Sequence, residues 1–283
     1  MNILYCGDKH IEDGLIISVL SLTEHVGEPL NVYVMTVGLD NKQFNLKPVS
    51  DSVIGYLDKT VAERTGGTVK KFDVTDIFSS QLPKANMETR FTPCCMLRLF
   101  ADEIPEIPDR VLYLDNDVVA RMDISDFYYQ DIDNYELAGV LDYYGRWFFR
   151  KNIFKMDYLN SGVLLLNMRA IRQSGLFKKC REMCVSEKMF MPDQSAINKL
   201  ANKKIIRDRR FNEQRRLHKN TVMQHFTTSF RFFPWFHSLT VKPWQIERVH
   251  EILKIFEYDG LFAQYRSAIE TIAKENNECE TNA

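Results

Sequence analysis

Apolar and polar positions along this chain change period repeatedly, and each change marks an element. Ile3, Leu4, Tyr5 and Cys6 form a short apolar run ending at Gly7-Asp8, after which Leu15, Val19 and Leu22 recur at helical spacing. That pattern predicts strand, loop, helix. The β-branched stretch from Asn31 to Val37 predicts a second strand, and Ser52 stands where a cap opens a helix with Val53, Ile54, Leu57 and Val61 on its apolar face. Gly66-Gly67 breaks that helix before a strand from Thr68 to Phe72. Further on, Pro93 to Leu99 leads through Arg98 into Phe100 to Ile104, a predicted helix that Pro105 stops.

The stretch from Arg110 to Val119 is the most informative. Its apolar run Val111-Leu112-Tyr113-Leu114 meets Asp115-Asn116-Asp117, which reads as a buried strand delivering two carboxylates into a cleft. In extended backbone, residues i and i+2 share a side. Two such carboxylates resist joint ionisation unless a cation lies between them, so the spacing points to a divalent metal site, with a solvated turn as the plainer alternative. Strands alternating with helices predict an α/β fold with a largely parallel, doubly wound sheet. Its ligand crevice lies beyond the carboxyl ends of the strands, where Gly7-Asp8 and Asp115-Asn116-Asp117 both emerge, so these loops should meet. Asp8 then either contacts a nucleotide base or ribose or caps the next helix. Arg98, set among apolar neighbours, directs its charge to a phosphate or a nearby carboxylate, or else snorkels to the surface.

Ala138 to Asp142 is a further apolar strand, whereas the aromatic and basic segment Tyr143 to Phe154 has no clean period and predicts a loop or short helices over the cleft. Tyr158-Leu159-Asn160-Ser161-Gly162 enters a strand from Val163 to Leu166, which puts Asn160 at the sheet's rim, where an amide can hydrogen-bond a hydroxylated ligand. Met191-Pro192-Asp193-Gln194 opens a helix bearing Ala196, Ile197 and Leu200, with Asp193 readable as its N-terminal cap. Between Lys203 and Lys219 the chain is dense in Lys and Arg; a solvated basic face is the default reading, and a polyanionic partner or an anionic membrane surface is the other. Thr221 to Trp244 brings His225, His237 and Lys242 near a proline-bounded turn; a histidine in so apolar a setting is usually structural, and an anion or metal site is the other reading. From Ile246, the spacing of Val249, Leu253 and Phe256 predicts an amphipathic helix packing back on the body, followed by a disordered tail from Asn276 to Ala283.

Composition narrows the class. At 283 residues the chain can bury a full core, as one large α/β domain or as a main domain with a small appendage. Thirty-seven basic against 38 acidic residues leave a net charge of −1, which argues against a dedicated nucleic-acid binder. No apolar run approaches ~20 residues, and the chain opens directly on a strand-like segment, so a cytoplasmic protein is expected. The six cysteines have no Cys-x-x-Cys spacing, which disfavours a zinc ribbon or a disulfide scaffold. Cys180 and Cys184, beside Leu176 and Phe177 on a helical period, read as core packing.

Together these pieces resemble the family 8 glycosyltransferases, retaining sugar-nucleotide enzymes that include bacterial lipopolysaccharide galactosyl- and glucosyltransferases and glycogenin. The likeness runs roughly from Asn2 to Trp244. Arg98-Leu99 ahead of Leu112-Tyr113-Leu114-Asp115-Asn116-Asp117 looks like the family's arginine and Asp-x-Asp metal motif. Asn160-Ser161-Gly162-Val163-Leu164-Leu165 is similar to its Asn-Ala/Ser-Gly-Val strand, Asp193-Gln194 to its Asp-Gln pair, and Lys242-Pro243-Trp244 to the end of its His-x-x-Gly-x-x-Lys-Pro-Trp motif.

The resemblance implies a GT-A fold: a Rossmann-type, mostly parallel central sheet flanked by helices, with a catalytic domain over 1–244 and a helical appendage and tail over 245–283. It also implies a UDP-sugar donor carrying glucose or galactose, a glycan or lipid-linked acceptor, and Mn²⁺ or Mg²⁺ held by Asp115, Asp117 and a histidine. Peripheral association with the inner face of a membrane belongs to the same expectation. His225 ends a strand as the family's metal histidine does but stands 17 residues before Lys242; His237 stands five before it, and the motif's glycine is missing. His225 is preferred and His237 stays open. By resemblance, Cys6, Asp8, Arg98, Asn116 and Lys242 fall to the nucleotide, with Asp8 at the uridine end. Asp142, Asn160, Asp193 and Gln194 fall to the transferred sugar. Gln194 takes the face where retaining chemistry needs a nucleophile or a stabilising carbonyl; an amide is a poor nucleophile, so front-face transfer fits equally.

Two other readings compete. Val111 to Val118 also fits the Asp-x-Asp-x-Val strand of a haloacid-dehalogenase-like phosphatase, with Asp115 as nucleophile and Asp117 as acid/base, although that chemistry normally opens its domain. A non-catalytic sugar-nucleotide-binding protein with the same pocket is the other.

Overall fold

The predicted strands assemble into one central sheet, and the helical stretches cover its two faces. This computed structural model describes residues 1–40, 44–87, 93–143, 157–231 and 237–281, with the backbone alone at 230, 231, 237 and 278–281. The chain runs β1 (Asn2–Gly7), α1 (Glu12–His25), β2 (Asn31–Thr36), a short antiparallel pair β3 (Leu39–Asp40) and β4 (Asn45–Leu46), α2 (Asp51–Thr65), β5 (Thr68–Asp73) and α3 (Thr75–Ser80). After a 3-10 helix at Pro93–Glu103 come β6 (Arg110–Leu114), β7 (Val118–Ala120), α4 (Ser125–Tyr128), β8 (Leu137–Leu141), β9 (Leu159–Asn167), α5 (Met168–Ser174), α6 (Leu176–Ser186) and α7 (Pro192–Leu200). β10 (Lys204–Arg207), β11 (Met223–His225), β12 (Ser229–Arg231), β13 (His237–Leu239), α8 (Ile246–Arg248) and α9 (Asp259–Thr281) complete it.

The seven-stranded sheet has the order β10-β8-β9-β6-β1-β2-β5. Every neighbouring pair is parallel except the two made by β9, which runs antiparallel to both β6 and β8. The chain winds outward from β1 through β2 to β5 and then lays β6 on the other side of β1. Strand order therefore reverses between β1 and β6, which opens a crevice at their carboxyl ends. Being antiparallel, β9 brings its first residues to that same edge, with Val163 opposite Leu114.

Side chains alternate across the pleat. Ile3, Tyr5, Leu112, Leu114, Val163 and Leu165 enter one buried cluster with Leu15, Ile16 and Val19 of α1 and Val53, Leu57 and Val61 of α2. Leu4, Val111, Tyr113, Leu164 and Leu166 face the other way, into a cluster with Leu97, Phe100, Ile171, Phe177 and Ile197. Helix α9 adds Leu261, Phe262, Ala268 and Ile272 to the first cluster. None of the five cysteines with described side chains forms a disulfide, and Cys180 and Cys184 are core residues as their spacing predicts. No helix among the described residues is long and apolar enough to cross a membrane.

Local departures from the sequence expectations have local causes. Ser50, not Ser52, precedes α2; Ser52 lies in its first turn and donates to Ser50 Oγ at 3.3 Å. The helix over Pro93–Glu103 is of the tighter 3-10 kind, and Arg98 Nε takes the Cys95 carbonyl at 3.0 Å. β9 starts at Leu159, so Asn160 stands within the strand. At the carboxyl end, the spacing from Ile246 to Phe256 does not make one helix: α8 passes into a wide π turn at Val249–Leu253, ended by Lys254 at φ 57°. The long helix is α9, and it continues through the segment expected to be disordered as far as Thr281. Of the segment expected over the cleft, only Tyr143 is described; 144–156 lie outside the described residues.

Candidate active site

β6 ends at Leu114, and the chain turns through Asp115-Asn116-Asp117 into β7, with Val118 N–H donating to the Asp115 carbonyl at 3.1 Å. This turn, rather than strand alternation, brings the two carboxylates together. Asp115 continues the alternation of Tyr113, whose hydroxyl donates to Asp115 Oδ1 at 2.7 Å. Asp117 is carried round to β11, which pairs antiparallel with β7 so that His225 lies opposite Val118 and Phe226 N–H donates to the Asp117 carbonyl at 2.9 Å. His225 Nε2 stands 3.2 Å from Asp117 Oδ1 and 3.7 Å from Asp115 Oδ2. One ligand atom from each of Asp115, Asp117 and His225 lies within 4.8 Å of the others. Carboxylate oxygens with a single imidazole and no thiolate form a donor set that suits Mn²⁺ or Mg²⁺. Gly162 makes the approach possible: a Cβ there would stand 2.3 Å from His225 Cε1 and 2.7 Å from Asp115 Oδ2. His237 opens β13, paired with Arg231, and its side chain lies outside what is described.

Lys242 Nζ pairs with Asp117 Oδ2 and reaches the Phe226 carbonyl at 3.3 Å. Burial resists ionisation of Asp117, but Lys242 and His225 outweigh it and hold the carboxyl well below the usual carboxylate range. Burial likewise opposes the charged imidazole of His225, yet Asp117 and Asp115 raise it above its ordinary value.

Arg98 is 4% exposed, which removes the snorkelling option. Its Nη2 donates to Asp115 Oδ1 at 2.9 Å, its Nε lies 3.3 Å from Asp193 Oδ2, and its Nη1 donates to the Ser161 carbonyl at 2.5 Å. The guanidinium also stacks on Tyr113, 4.0 Å from the ring centroid. Its described partners are thus the carboxylates among the sequence options. The N-cap of α7 is Met191, and Asp193, in the first turn, accepts from Ser161 Oγ at 3.2 Å, while burial pushes its carboxyl up against the pull of Arg98. Gln194 is held at both ends, accepting from Ser161 N–H at 2.9 Å and donating to Asp142 Oδ2 at 2.8 Å.

Asn160 donates to the same Asp142 oxygen at 3.3 Å and accepts from Gly162 N–H at 3.0 Å and from Asn212 Nδ2 at 2.9 Å. Asn212 Oδ1 in turn lies 3.1 Å from His225 Nδ1. Because Asn212 gives its amide NH₂ to Asn160, its oxygen faces the imidazole, so the network places a proton on Nδ1 and leaves Nε2 to the carboxylates, where it would be the atom given to a metal ion. Sequence reasoning did not single out Asn212, which interrupts a basic run with no periodic signal. Tyr113 could have been found as the residue two before Asp115, on its side of the strand.

On the β1 side, Asp8 is buried, lies 2.6 Å from His10 Nδ1 through its Oδ2, and makes no side-chain cap for the following turn. Cys6 packs against the second core cluster. Asn116 Nδ2 donates to the Ile11 carbonyl at 3.5 Å and lies against Gly14, where a Cβ would meet it at 2.4 Å. The loops after β1 and β6 therefore meet as the topology predicts.

Residues 2–247 match the family described as Glycosyl transferase family 8. The chain is 32% identical over 116 residues to "Probable glycosyl transferase Gly" of Streptococcus gordonii, covering 40% of this chain and 16% of that protein. It is 36% identical over 107 residues to "Glycosyltransferase GlyA" of Streptococcus pneumoniae serotype 4, covering 37% and 14%. It thus matches less than a fifth of the length of either curated relative. Among solved structures, an active-site mutant of LgtC superposes with a TM-score of 0.69 at 18% identity, covering 95% of this chain and 96% of that one. Mouse xyloside xylosyltransferase 1 gives a TM-score of 0.56 at 16% identity, covering 79% and 96%. These likenesses carry the fold, and the family match leaves no place for the phosphatase alternative. By a match that takes in nearly the whole chain and a sheet with the GT-A arrangement, the chain belongs to glycosyltransferase family 8.

Proposed function

We propose that the chain moves a hexose, glucose or galactose, with retention from a UDP-sugar to a hydroxyl of a glycan or lipid-linked acceptor, using Mn²⁺ or Mg²⁺ held by Asp115, Asp117 and His225. The observation that carries the reading is the convergence of those three donors at the β1/β6 crevice of a family 8 chain. Residues 1–244 carry the chemistry in this reading, 245–283 brace it, and a lipid-linked acceptor agrees with a place at the inner face of a membrane.

A bound ion supplies Lewis-acid stabilisation of the charge on the departing diphosphate. Lys242 adds positive charge on the same side and keeps Asp117 ionised. Arg98 and Tyr113 both bind Asp115 Oδ1, which fixes the carboxylate with Oδ2 towards His225. Asp8 and Cys6, at the end of β1, serve the uridine end, with Asn116 behind them. Asp142, Asn160, Asp193 and Gln194 serve the transferred sugar. Both ends of the Gln194 amide are engaged, so it orients rather than attacks. That favours front-face transfer, in which the acceptor hydroxyl attacks beside the leaving phosphate.

The test is UDP release and product formation from UDP-glucose and UDP-galactose with and without Mn²⁺, with the product anomer read by NMR. Asp115→Ala and Asp117→Ala should each lower turnover by about a hundredfold or more. Undiminished turnover in these variants refutes the assignment. Binding of UDP-sugar with neither hydrolysis nor transfer would make the chain a non-catalytic sugar-nucleotide binder instead.

A further inference from the structure

Asn212, which holds His225, also forms part of the wall of a second space. A cavity of about 510 Å³ opens there, outside the carboxyl ends of β8 and β10. Four guanidinium groups, from Arg207, Arg209, Arg215 and Arg216, line it together with one carboxylate, Glu213, among the described residues. That carboxylate is already engaged by Arg209 at 3.2 Å and by His218 Nδ1 at 3.0 Å. Arg215 is occupied by Tyr143, whose hydroxyl it meets at 2.6 Å and on whose ring it stacks at 4.6 Å. Arg207 and Arg216 remain. Arg207 Nε is one of two buried side-chain polar atoms among the described residues with no hydrogen-bond partner, and Arg216 is exposed without a described partner. A buried donor left unpaired within the chain is open to an acceptor from outside it, a water or a ligand oxygen.

We propose that this cavity receives the oxyanion, phosphate or carboxylate, of an acidic acceptor sugar and so selects acidic over neutral acceptors; the acceptor role rests on the transferase reading above. Position supports it. The cavity reaches Leu141, next to Asp142 of the sugar-binding circuit, and shares Asn212 with the His225 network. The donor diphosphate has its own cationic partner, Lys242, on the other side of that network. Guanidinium forks match planar or tetrahedral oxyanions in bidentate geometry, and a concave site lined by them suits a small anionic group better than a flat bilayer surface.

The experiment uses the full chain with Mn²⁺ and UDP, titrated with glucose 6-phosphate, glucuronate and glucose and followed by ligand-observed NMR. The acidic sugars should bind about tenfold or more tightly than glucose, and Arg207→Gln or the surface variant Arg216→Gln should shrink that preference about tenfold, as loss of a hydrogen bond to a charged group does. Comparing glucose 6-phosphate with glucuronate separates phosphate from carboxylate as the recognised group. Equal binding of the three sugars, or an unchanged preference in both variants, overturns the proposal. So does binding to phosphatidylglycerol vesicles that depends on Arg216 while acidic sugars fail to bind, which would make the patch a membrane contact. Acidic-sugar binding that follows Arg207 in a chain without UDP-sugar turnover overturns the transferase reading and leaves the anion site standing.

Discussion

Gly162 lies where β9 passes beside the imidazole of His225, and the imidazole has little freedom to yield. Its Nδ1 is tied to Asn212, its Nε2 faces two carboxylates, and the residue is 5% exposed. Alanine at 162 would place a methyl 2.3 Å from Cε1 and 2.9 Å from Nδ1 of that ring. Something must move, and any displacement of the ring disturbs the placing of Nε2 against the two carboxylates. Gly162→Ala should therefore cost about 1–3 kcal/mol of stability, as overpacking does, while weakening Mn²⁺ binding about tenfold or more, in the range seen when a ligand's orienting shell is disturbed. Thermal melts and Mn²⁺ titration by electron paramagnetic resonance separate the two effects. Wild-type Mn²⁺ affinity in a stably folded variant would mean that His225 is not a ligand.

At the scale of elements, one arginine ties four of them together. Arg98, in the 3-10 helix, bonds Asp115 after β6, the Ser161 carbonyl in β9 and Asp193 in α7. Lysine keeps the charge but not the fork, so Arg98→Lys leaves at least one buried carboxylate unpaired. A loss of about 3–5 kcal/mol follows from breaking a buried pair, together with lower turnover; a melting temperature within a degree of wild type would show that the ion pairs do not hold these elements. The same elements show what a sequence can and cannot say. The apolar run before Asp115 and the alternation of β1, β2 and β6 were legible because burial on both faces imprints on local residue types. The direction of β9 was not, since an apolar run reads alike both ways, and only its antiparallel pairing with β6 explains why Asn160 and Ser161 reach the site. Spacing to Lys242 left two histidines in play, whereas the β7–β11 pairing places His225 beside Asp117. Asn212 left no signal because its role depends on contacts with residues 52 positions before and 13 after it. The tail was misread because a helical spacing held from Ile246 to Phe256 while Lys254 turned left-handed.

Across the whole molecule, the carboxyl-terminal segment is joined to the metal strand. The hydroxyl of Tyr258, 5% exposed, donates to Gln224 Oε1 at 2.7 Å, and Gln224 is the neighbour of His225 in β11. The Tyr258 ring also lies against Phe226, centroids 6.2 Å apart, and Tyr265 of α9 donates to Asp13 of α1 at 2.7 Å. α1 itself backs the crevice, where Gly14 faces Asn116 and Trp244. If this segment only adds buried area, any disturbance of it should lower stability and leave metal binding alone. If it braces β11, the chemical kind of disturbance matters. Ile272→Ala removes apolar burial in α9 and no hydrogen bond, so it should cost about 2–5 kcal/mol with Mn²⁺ affinity unchanged in the folded protein. Tyr258→Phe keeps the ring but strands the buried Gln224 carbonyl, at a cost of about 1–3 kcal/mol, and should weaken Mn²⁺ binding several-fold because Gln224 can re-pair only by shifting β11. Measured well below both melting temperatures, equal Mn²⁺ affinities for the two variants would reduce the tail to a stabilising cover.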